Sequence, residues 1–259
     1  FLHRFFDDET DDEAYGQQFR FSTEESALAI TKVLREYDCP EIDLETSETG
    51  LRLFALRRLN ENEMHVRVTN QIFPNAIVIP ISNDMMLTQW HVPIDDTTSW
   101  WYAIFSSFSE TVDKERMRND RLELYTLPNY RPRKNRGNDY GYDPDEQRSK
   151  TYTGMGMDIN VHDQWAVESL GRVQDRTREH LGTTDKAIIA NRKLLVQAIE
   201  AVERGDEPDI SLRPADPARC RGPVAIDTIA PAATWQTAWK QTAVERRRKS
   251  SWAKDPLIT

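Results

Sequence analysis

Between Gly50 and Phe108 the chain reads as a succession of apolar and β-branched runs, "LRLFALRRL", "MHVRVTNQIFPNAIVIPI", "MMLTQWHVPI" and "SWWYAIFSSF", separated by Asn, Asp and Pro. In "HVRV" charged and apolar residues alternate, as a strand with one wet face requires. The pattern predicts four or five strands joined by short turns, hence an antiparallel sheet. Elsewhere the period is helical. Ser22-Thr23-Glu24-Glu25 has the form of a capping box, and Leu28, Val33 and Leu34 continue it as an amphipathic helix to about Tyr37, ended by Pro40. Residues 111–125 are again helical and charge-rich, whereas "LPNYRPRKNRGNDYGYDPDEQRSK" has the turn-residue density of a long loop, suited to a lid or an oligomer contact. In "TTDKAIIANRKLLVQAIEAVERG" Ile188, Leu195, Ile199 and Val202 recur at helical spacing and Gly205 supplies the stop. A Pro-rich connector, Pro208 to Pro231, leads to a last helix carrying Trp235 and Trp239. This order describes an α+β domain in which a curved antiparallel sheet wraps helices, an architecture that can hold an apolar ligand against a helix.

Composition narrows the partners. The 43 acidic and 34 basic side chains leave a net charge of -9, which argues against nucleic acid. The dense basic run, Glu245-Arg246-Arg247-Arg248-Lys249, reads as a solvated helix face. Cys39 and Cys220 belong to no CxxC or CxH pair, so neither a disulfide framework nor a cysteine metal site is indicated, and a reducing cytoplasm is the expected location. No apolar run approaches the roughly 18 residues of a membrane span. The chain opens on Phe1-Leu2-His3-Arg4-Phe5-Phe6 without an initiator methionine, as a fragment or a processed chain would.

The densest concentration of chemistry-bearing residues is "DINVHDQWAVESLGRVQDRTREHLGTTDKAI", residues 158–188. On spacing alone Asp163 is a helix N-cap before "QWAVESL". Asp175-Arg176 and Arg178-Glu179 read as ion pairs on a wet helix face, and His180 as a partner for C-terminal carbonyls. His162, adjacent to Asp163, would point to another helix face and not converge with it on one metal.

Taken together, "GMGMDINVHDQWAVESLGRVQDRTREHLGTTDKAI" resembles the carboxyl-terminal signature of Rieske non-haem iron ring-hydroxylating oxygenases, of the phthalate dioxygenase type and its O-demethylase relatives. In that family an Asp five residues before the Glu of an "ES-G" segment is the carboxylate ligand of iron, which selects Asp163, with Glu168 following at that spacing. Family members carry their two histidine ligands in H-x-x-F-L-H-R, and this chain begins at "FLHR". His3 is then the second histidine ligand and the first lies before Phe1. A third match, "WHVPIDDTTSWWY" from Trp90 to Tyr102, corresponds to the family's W-x-V-P-x-D-D-T segment.

The resemblance implies a helix-grip (START-like) catalytic domain over residues 1–259, holding a mononuclear Fe(II) on His3 and Asp163. Two imidazoles and one carboxylate on one face of the ion leave the other face open to dioxygen and substrate. A Rieske domain, whose CxH and CxxH pairs hold a 2Fe-2S cluster, would lie upstream. The implied reaction uses O2 and electrons from NAD(P)H, delivered by a reductase or ferredoxin, for dihydroxylation of an aromatic, carboxylated substrate or for O-demethylation by monooxygenation. The implied assembly is a homotrimer. Arg52, Arg57 and Arg67 on the predicted strands are candidates for a substrate carboxylate, and Trp100 and Tyr102 for the wall of an aromatic cavity, although alternation would make half of that strand core. Asp7, Asp8, Asp11 and Asp12, near His3, read as a solvated segment. Two rival expectations are a metal-free module for a hydrophobic ligand and an inactive structural subunit.

Overall fold

A computed structural model describes residues 3, 5–6, 33–34, 36–47, 49–81, 84–109, 111–210 and 223–253. The strands are β1 (Glu41–Ser47), β2 (Gly50–Arg58), β3 (Glu63–Ile72), β4 (Ala76–Pro80), β5 (Met85–Pro93), β6 (Ser99–Ser107), β7 (Tyr125–Thr126), β8 (Arg131–Pro132) and β9 (Ile226–Pro231). The helices are α1 (Lys114–Leu122), α2 (Pro144–Ser149), α3 (Ile159–Glu168), α4 (Lys186–Glu203) and α5 (Trp235–Lys249), with 3-10 turns at Arg136–Gly141, Arg176–Arg178 and Thr183–Asp185. The chain divides into two compact units, Phe1–Asp38 with Thr111–Thr177 and Cys39–Glu110 with Arg178–Thr259.

The second unit holds the sheet. β1 to β6 form an antiparallel meander in chain order. β4 has only five residues and covers only the end of β3, from Asn70 to Ile72. The remaining edge, Glu63 to Val68, is taken by β9, which returns from the far end of the chain. Turn chemistry sets the register. Asn60 Oδ1 accepts from the backbone N–H groups of Asn62 and Glu63 between β2 and β3, and Asp95 Oδ1 accepts from those of Thr97 and Thr98 between β5 and β6. At Gly50, with φ +150°, a Cβ would lie 2.2 Å from the Gln71 carbonyl oxygen, so no larger residue fits where β1 folds into β2.

One face of the sheet is the core. Phe54, Leu56, Met64, Val66, Val68 and Ile226 pack against Trp235, Trp239 and Ala243 of α5. Phe54 meets both indoles edge-on or tilted, with centroids 5.5 and 5.7 Å away. Burial of such side chains stabilises by about 2 kcal/mol each. The basic end of α5 departs from expectation: Arg246 is buried, donates to the Ala225 carbonyl at 2.7 Å and lies 4.0 Å over the Phe108 ring, and burial lowers its pKa to about 10. The opposite face carries charge inside the sheet. Asp227 on β9 is fully buried and accepts from His65 on one carboxylate oxygen and from Arg67 on the other, both from β3, while Arg67 also reaches the Pro80 carbonyl at 2.8 Å.

The α+β class and the antiparallel sheet are as the pattern predicts; β1 and β9 are additional strands. α4 packs beside β1 and β2, where Lys186 donates to the Ile42 carbonyl at 3.2 Å. Its predicted apolar stripe is largely exposed: Ile188 45%, Ile199 57% and Val202 63%. Along β6 Trp100, Trp101, Tyr102 and Ile104 are all exposed, so alternation does not sort them into core and surface on this edge strand. The capping box at Ser22 and the acidic residues Asp7 to Asp12 lie outside the described residues; Val33, Leu34 and Glu36 are helical.

The first unit contains far more structure than a long loop. β7 and β8 form a small ribbon, Asp113 caps α1 and Asp143 caps α2, and Tyr140, Met155 and Val161 make a small core with Trp165 against it. Asp139 and Tyr140 both adopt left-handed backbone, φ 49° and 57°, a conformation costly outside glycine. Phe5 forms an antiparallel bridge with Thr151.

Candidate metal centre

The helix that carries the site begins one turn earlier than the cap reading predicts. Asp158, not Asp163, is the N-cap: its carboxylate accepts from the Asn160 N–H at 3.0 Å. Asp163 is therefore inside α3, and successive residues on a helix diverge by about 100°. His162 turns inward and is wholly buried; the Asp163 side chain turns outward and is 56% exposed. α3 also ends sooner than predicted, at Glu168, so residues 175–180 do not share its surface. Asp175 instead accepts from Thr177, and Glu179 forms a two-pronged ion pair with Arg192 of α4.

Glu168 anchors the end of α3. Its carboxylate accepts from the Tyr140 hydroxyl at 2.5 Å and from the Gln164 amide at 3.0 Å. Burial together with that carboxylate pushes the Tyr140 pKa up to about 12, so the phenol keeps its proton and donates it.

The beginning of α3 is held by a loop built around Gly156. Its N–H donates to Glu146 Oε1 at 2.7 Å, and Thr151 Oγ1 donates to the same oxygen. Gly156 has φ +85°, and a Cβ there would stand 2.7 Å from Lys134 Nζ, which itself donates to the Met155 carbonyl at 2.7 Å. The Gly156 carbonyl accepts from His162 Nε2 at 2.8 Å. Burial lowers the His162 pKa, with the Gly156 hydrogen bond opposing it.

His3 meets this end of the helix. Its Nε2 lies 3.1 Å from Asp163 Oδ1 and its Nδ1 lies 3.3 Å from His162 Nδ1, with the planes of the two imidazoles 24° apart and their centroids separated by 5.5 Å. Residues 160 positions apart in the chain thus place one imidazole nitrogen and one carboxylate oxygen side by side. The spacing fits a metal. Two donors bound at about 2.1 Å and at right angles on one ion stand about 3.0 Å apart. Nitrogen with carboxylate oxygen is also the donor set of Fe(II) oxygenase sites. Without an ion the same distance closes a hydrogen bond. Among the described residues no three His, Cys, Asp or Glu side chains form a complete ligand group.

The substrate candidates lie in the other unit. Arg52 pairs with Glu45 and sits 5.2 Å over the Trp239 ring, Arg67 is committed to Asp227, and Arg57 stands opposite His65 in the sheet. Trp100 and Tyr102 share the exposed edge of β6. In the unit of His3 and Asp163, a cavity of about 440 Å³ that the sequence reading did not anticipate is walled by Tyr140, Tyr142, Tyr152, Met155 and Trp165. Tyr140 and Tyr142 fall in the segment that the sequence pattern marks only as a long loop. Trp165, two positions beyond Asp163 on α3, projects from a different helical face.

Comparison with known proteins places the chain. The model of the family described as LigXa C-terminal domain like matches residues 26–254. The chain belongs to this family, and the resemblance of its motifs to the catalytic domain of Rieske-type aromatic oxygenases holds. It is 28% identical to the phthalate 4,5-dioxygenase oxygenase subunit of Pseudomonas putida over 175 residues, 64% of this chain and 39% of that protein. It is 26% identical to the phenoxybenzoate dioxygenase subunit alpha of Ectopseudomonas oleovorans over 174 residues, 65% of this chain and 36% of that protein. The chain thus spans less than two fifths of either alignment partner's length. Asp163 lies inside the matched span and His3 before it. Among the described residues no helix is long and apolar enough to cross a membrane.

Proposed function

We propose that this chain is the catalytic part of an oxygenase that hydroxylates an aromatic, carboxylated substrate, with His3 and Asp163 as two ligands of a mononuclear Fe(II). The observation that carries the proposal is the 3.1 Å approach of His3 Nε2 to Asp163 Oδ1. The remaining ligand is the first histidine of the H-x-x-F-L-H-R motif. When bound, the iron supplies reductive activation of O2 for insertion into the substrate. His3 contributes a neutral lone pair. Asp163 contributes a negative charge that offsets the metal's, and its exposure leaves the ion approachable from solvent.

Electrons from NAD(P)H, relayed by a reductase or ferredoxin and a 2Fe-2S cluster, and assembly as a homotrimer belong to the same proposal. Dihydroxylation is favoured over O-demethylation because both relatives carry the name of a dioxygenase. The test is the iron content of the full-length protein, purified anaerobically, beside its Asp163→Ala variant. Loss of about one mononuclear iron per chain, with the cluster retained, is the expected result. Equal iron in both would remove Asp163 from the metal and shift the reading to a metal-free ligand-binding domain, for which the 440 Å³ aromatic cavity would be the site.

A further inference from the structure

We infer that His162 is the positioning residue for the metal ligand His3, acting as the acceptor that fixes which ring nitrogen of His3 faces the ion. The inference rests on the reading of His3 and Asp163 as iron ligands. It reverses the expectation that His162 stands apart from the site.

Proton positions fix the roles of the two rings. A carbonyl oxygen can only accept, so the 2.8 Å contact with Gly156 requires that His162 Nε2 carry the hydrogen. His162 Nδ1 then faces His3 Nδ1 at 3.3 Å, and one nitrogen must donate while the other accepts. An imidazole that binds a metal through Nε2 keeps its hydrogen on Nδ1. With an ion on Nε2, His3 Nδ1–H is therefore the donor and His162 Nδ1 the acceptor, and the His3 Nε2 lone pair stands beside Asp163 Oδ1 for the metal. Ligating histidines ordinarily donate this second N–H to a carboxylate, a carbonyl or water. Here a buried neutral imidazole takes that role.

The relay extends backwards into the loop. Gly156 is held at its N–H by Glu146 and at its carbonyl by His162, so the orientation of the His3 ring is referred to the scaffold around α2. His162 cannot itself be a ligand in this arrangement, because Nε2 is capped by the carbonyl and Nδ1 is turned to His3. Its complete burial suits it to position a ring and not to exchange with solvent.

Glutamine has both an amide donor and a carbonyl acceptor and can reproduce the relay; methionine fills similar space with neither. The experiment measures Fe(II) affinity, by anaerobic chelator competition, in the full-length protein and its His162→Gln, His162→Met and Asp163→Ala variants. His162→Met should weaken Fe(II) by about 10- to 100-fold, the usual effect of removing such a partner. His162→Gln should stay within about threefold of the parent. A second reading uses the unmutated protein loaded with Co(II), where the exchangeable, hyperfine-shifted N–H signal of His3 should exchange slowly with solvent. Slow exchange retained in His162→Gln and lost in His162→Met supports the relay. If Asp163→Ala loses the metal while His162→Met binds Fe(II) like the parent, the relay is wrong and the ligand reading stands. Fast exchange in the unmutated protein overturns the relay even if His162→Met does not fold. If Asp163→Ala retains the metal, the ligand reading itself has failed.

Discussion

Two histidine–aspartate pairs occur among the described residues, one in each unit, and their surroundings give them opposite characters. His65 and Asp227 are 2% and 0% exposed, and Asp227 accepts from His65 on one oxygen and from Arg67 on the other. His3 and Asp163 are 27% and 56% exposed, and Asp163 Oδ1 meets His3 alone among the described residues. The first pair has its carboxylate engaged on both oxygens inside the sheet, so it fastens β9 to β3. The second leaves a nitrogen and an oxygen side by side at the surface of its unit, so it can receive an ion. Residue type alone does not separate a fastening from a ligand set; burial and the partners of the carboxylate do.

The largest expected effect on stability comes from breaking the buried pair. Asp227→Ala strands Arg67 and His65 inside the sheet, and removal of one member of a buried ion pair costs about 3–5 kcal/mol. Urea unfolding should show that loss. A cost below about 1 kcal/mol would place Asp227 with ordinary surface pairs and erase the contrast.

The same carboxylate should give the sheet-bearing unit an acid-sensitive stability. Burial pushes the Asp227 carboxyl up, but the Arg67 charge and the His65 and Arg67 hydrogen bonds outweigh it and hold the folded pKa below the ordinary value. The folded state then binds this proton less readily than the unfolded chain. Its stabilising contribution is complete above the unfolded carboxylate pKa of about 3.9 and is lost as pH falls through the lower folded value. Unfolding free energies measured from pH 5 downward should fall less steeply in Asp227→Asn than in the parent; identical slopes would mean that another group carries the acid response.

A smaller effect is expected at the far end of α3. Tyr140→Phe removes the hydroxyl that donates to Glu168, and a hydrogen bond to a charged group is worth about 1.5 kcal/mol. Thermal unfolding in parent and variant checks it. An unchanged transition would mean that Glu168 is held by Gln164 alone.

These contrasts also explain what the sequence discloses. Apolar and β-branched runs between turn residues announce β2 to β6, although β6 is largely exposed and only β2 to β4 alternate between buried and wetter positions, and Trp235 and Trp239 announce α5 because both indoles meet the core. β9 escapes notice because it is short, lies at the end of the Pro-rich connector and pairs with a strand more than 150 residues away. The apolar spacing of α4 predicts a helix correctly and a buried stripe incorrectly, since periodicity records what a helix can bury and not what covers it. At the site, family motifs single out His3 and Asp163. His162 escapes notice because adjacent helix positions diverge, while its partner His3 comes from another part of the chain.

The smallest expected effect separates the two aspartates of α3. Asp158 caps the helix, and Asp158→Ala should cost about 1 kcal/mol of stability, the usual value of an N-cap. Asp163 projects from the helix with its side chain more than half exposed, so Asp163→Ala should change the stability of the metal-free protein by less than about 0.5 kcal/mol. Iron should respond in the reverse order, leaving with Asp163 and staying with Asp158. Chemical unfolding of the metal-free variants, read beside their iron content, distinguishes a cap from a ligand within five residues of one helix. If Asp163→Ala proves the more destabilising of the two before any metal is added, its carboxylate serves the fold, and the spacing to His3 reflects a structural ion pair.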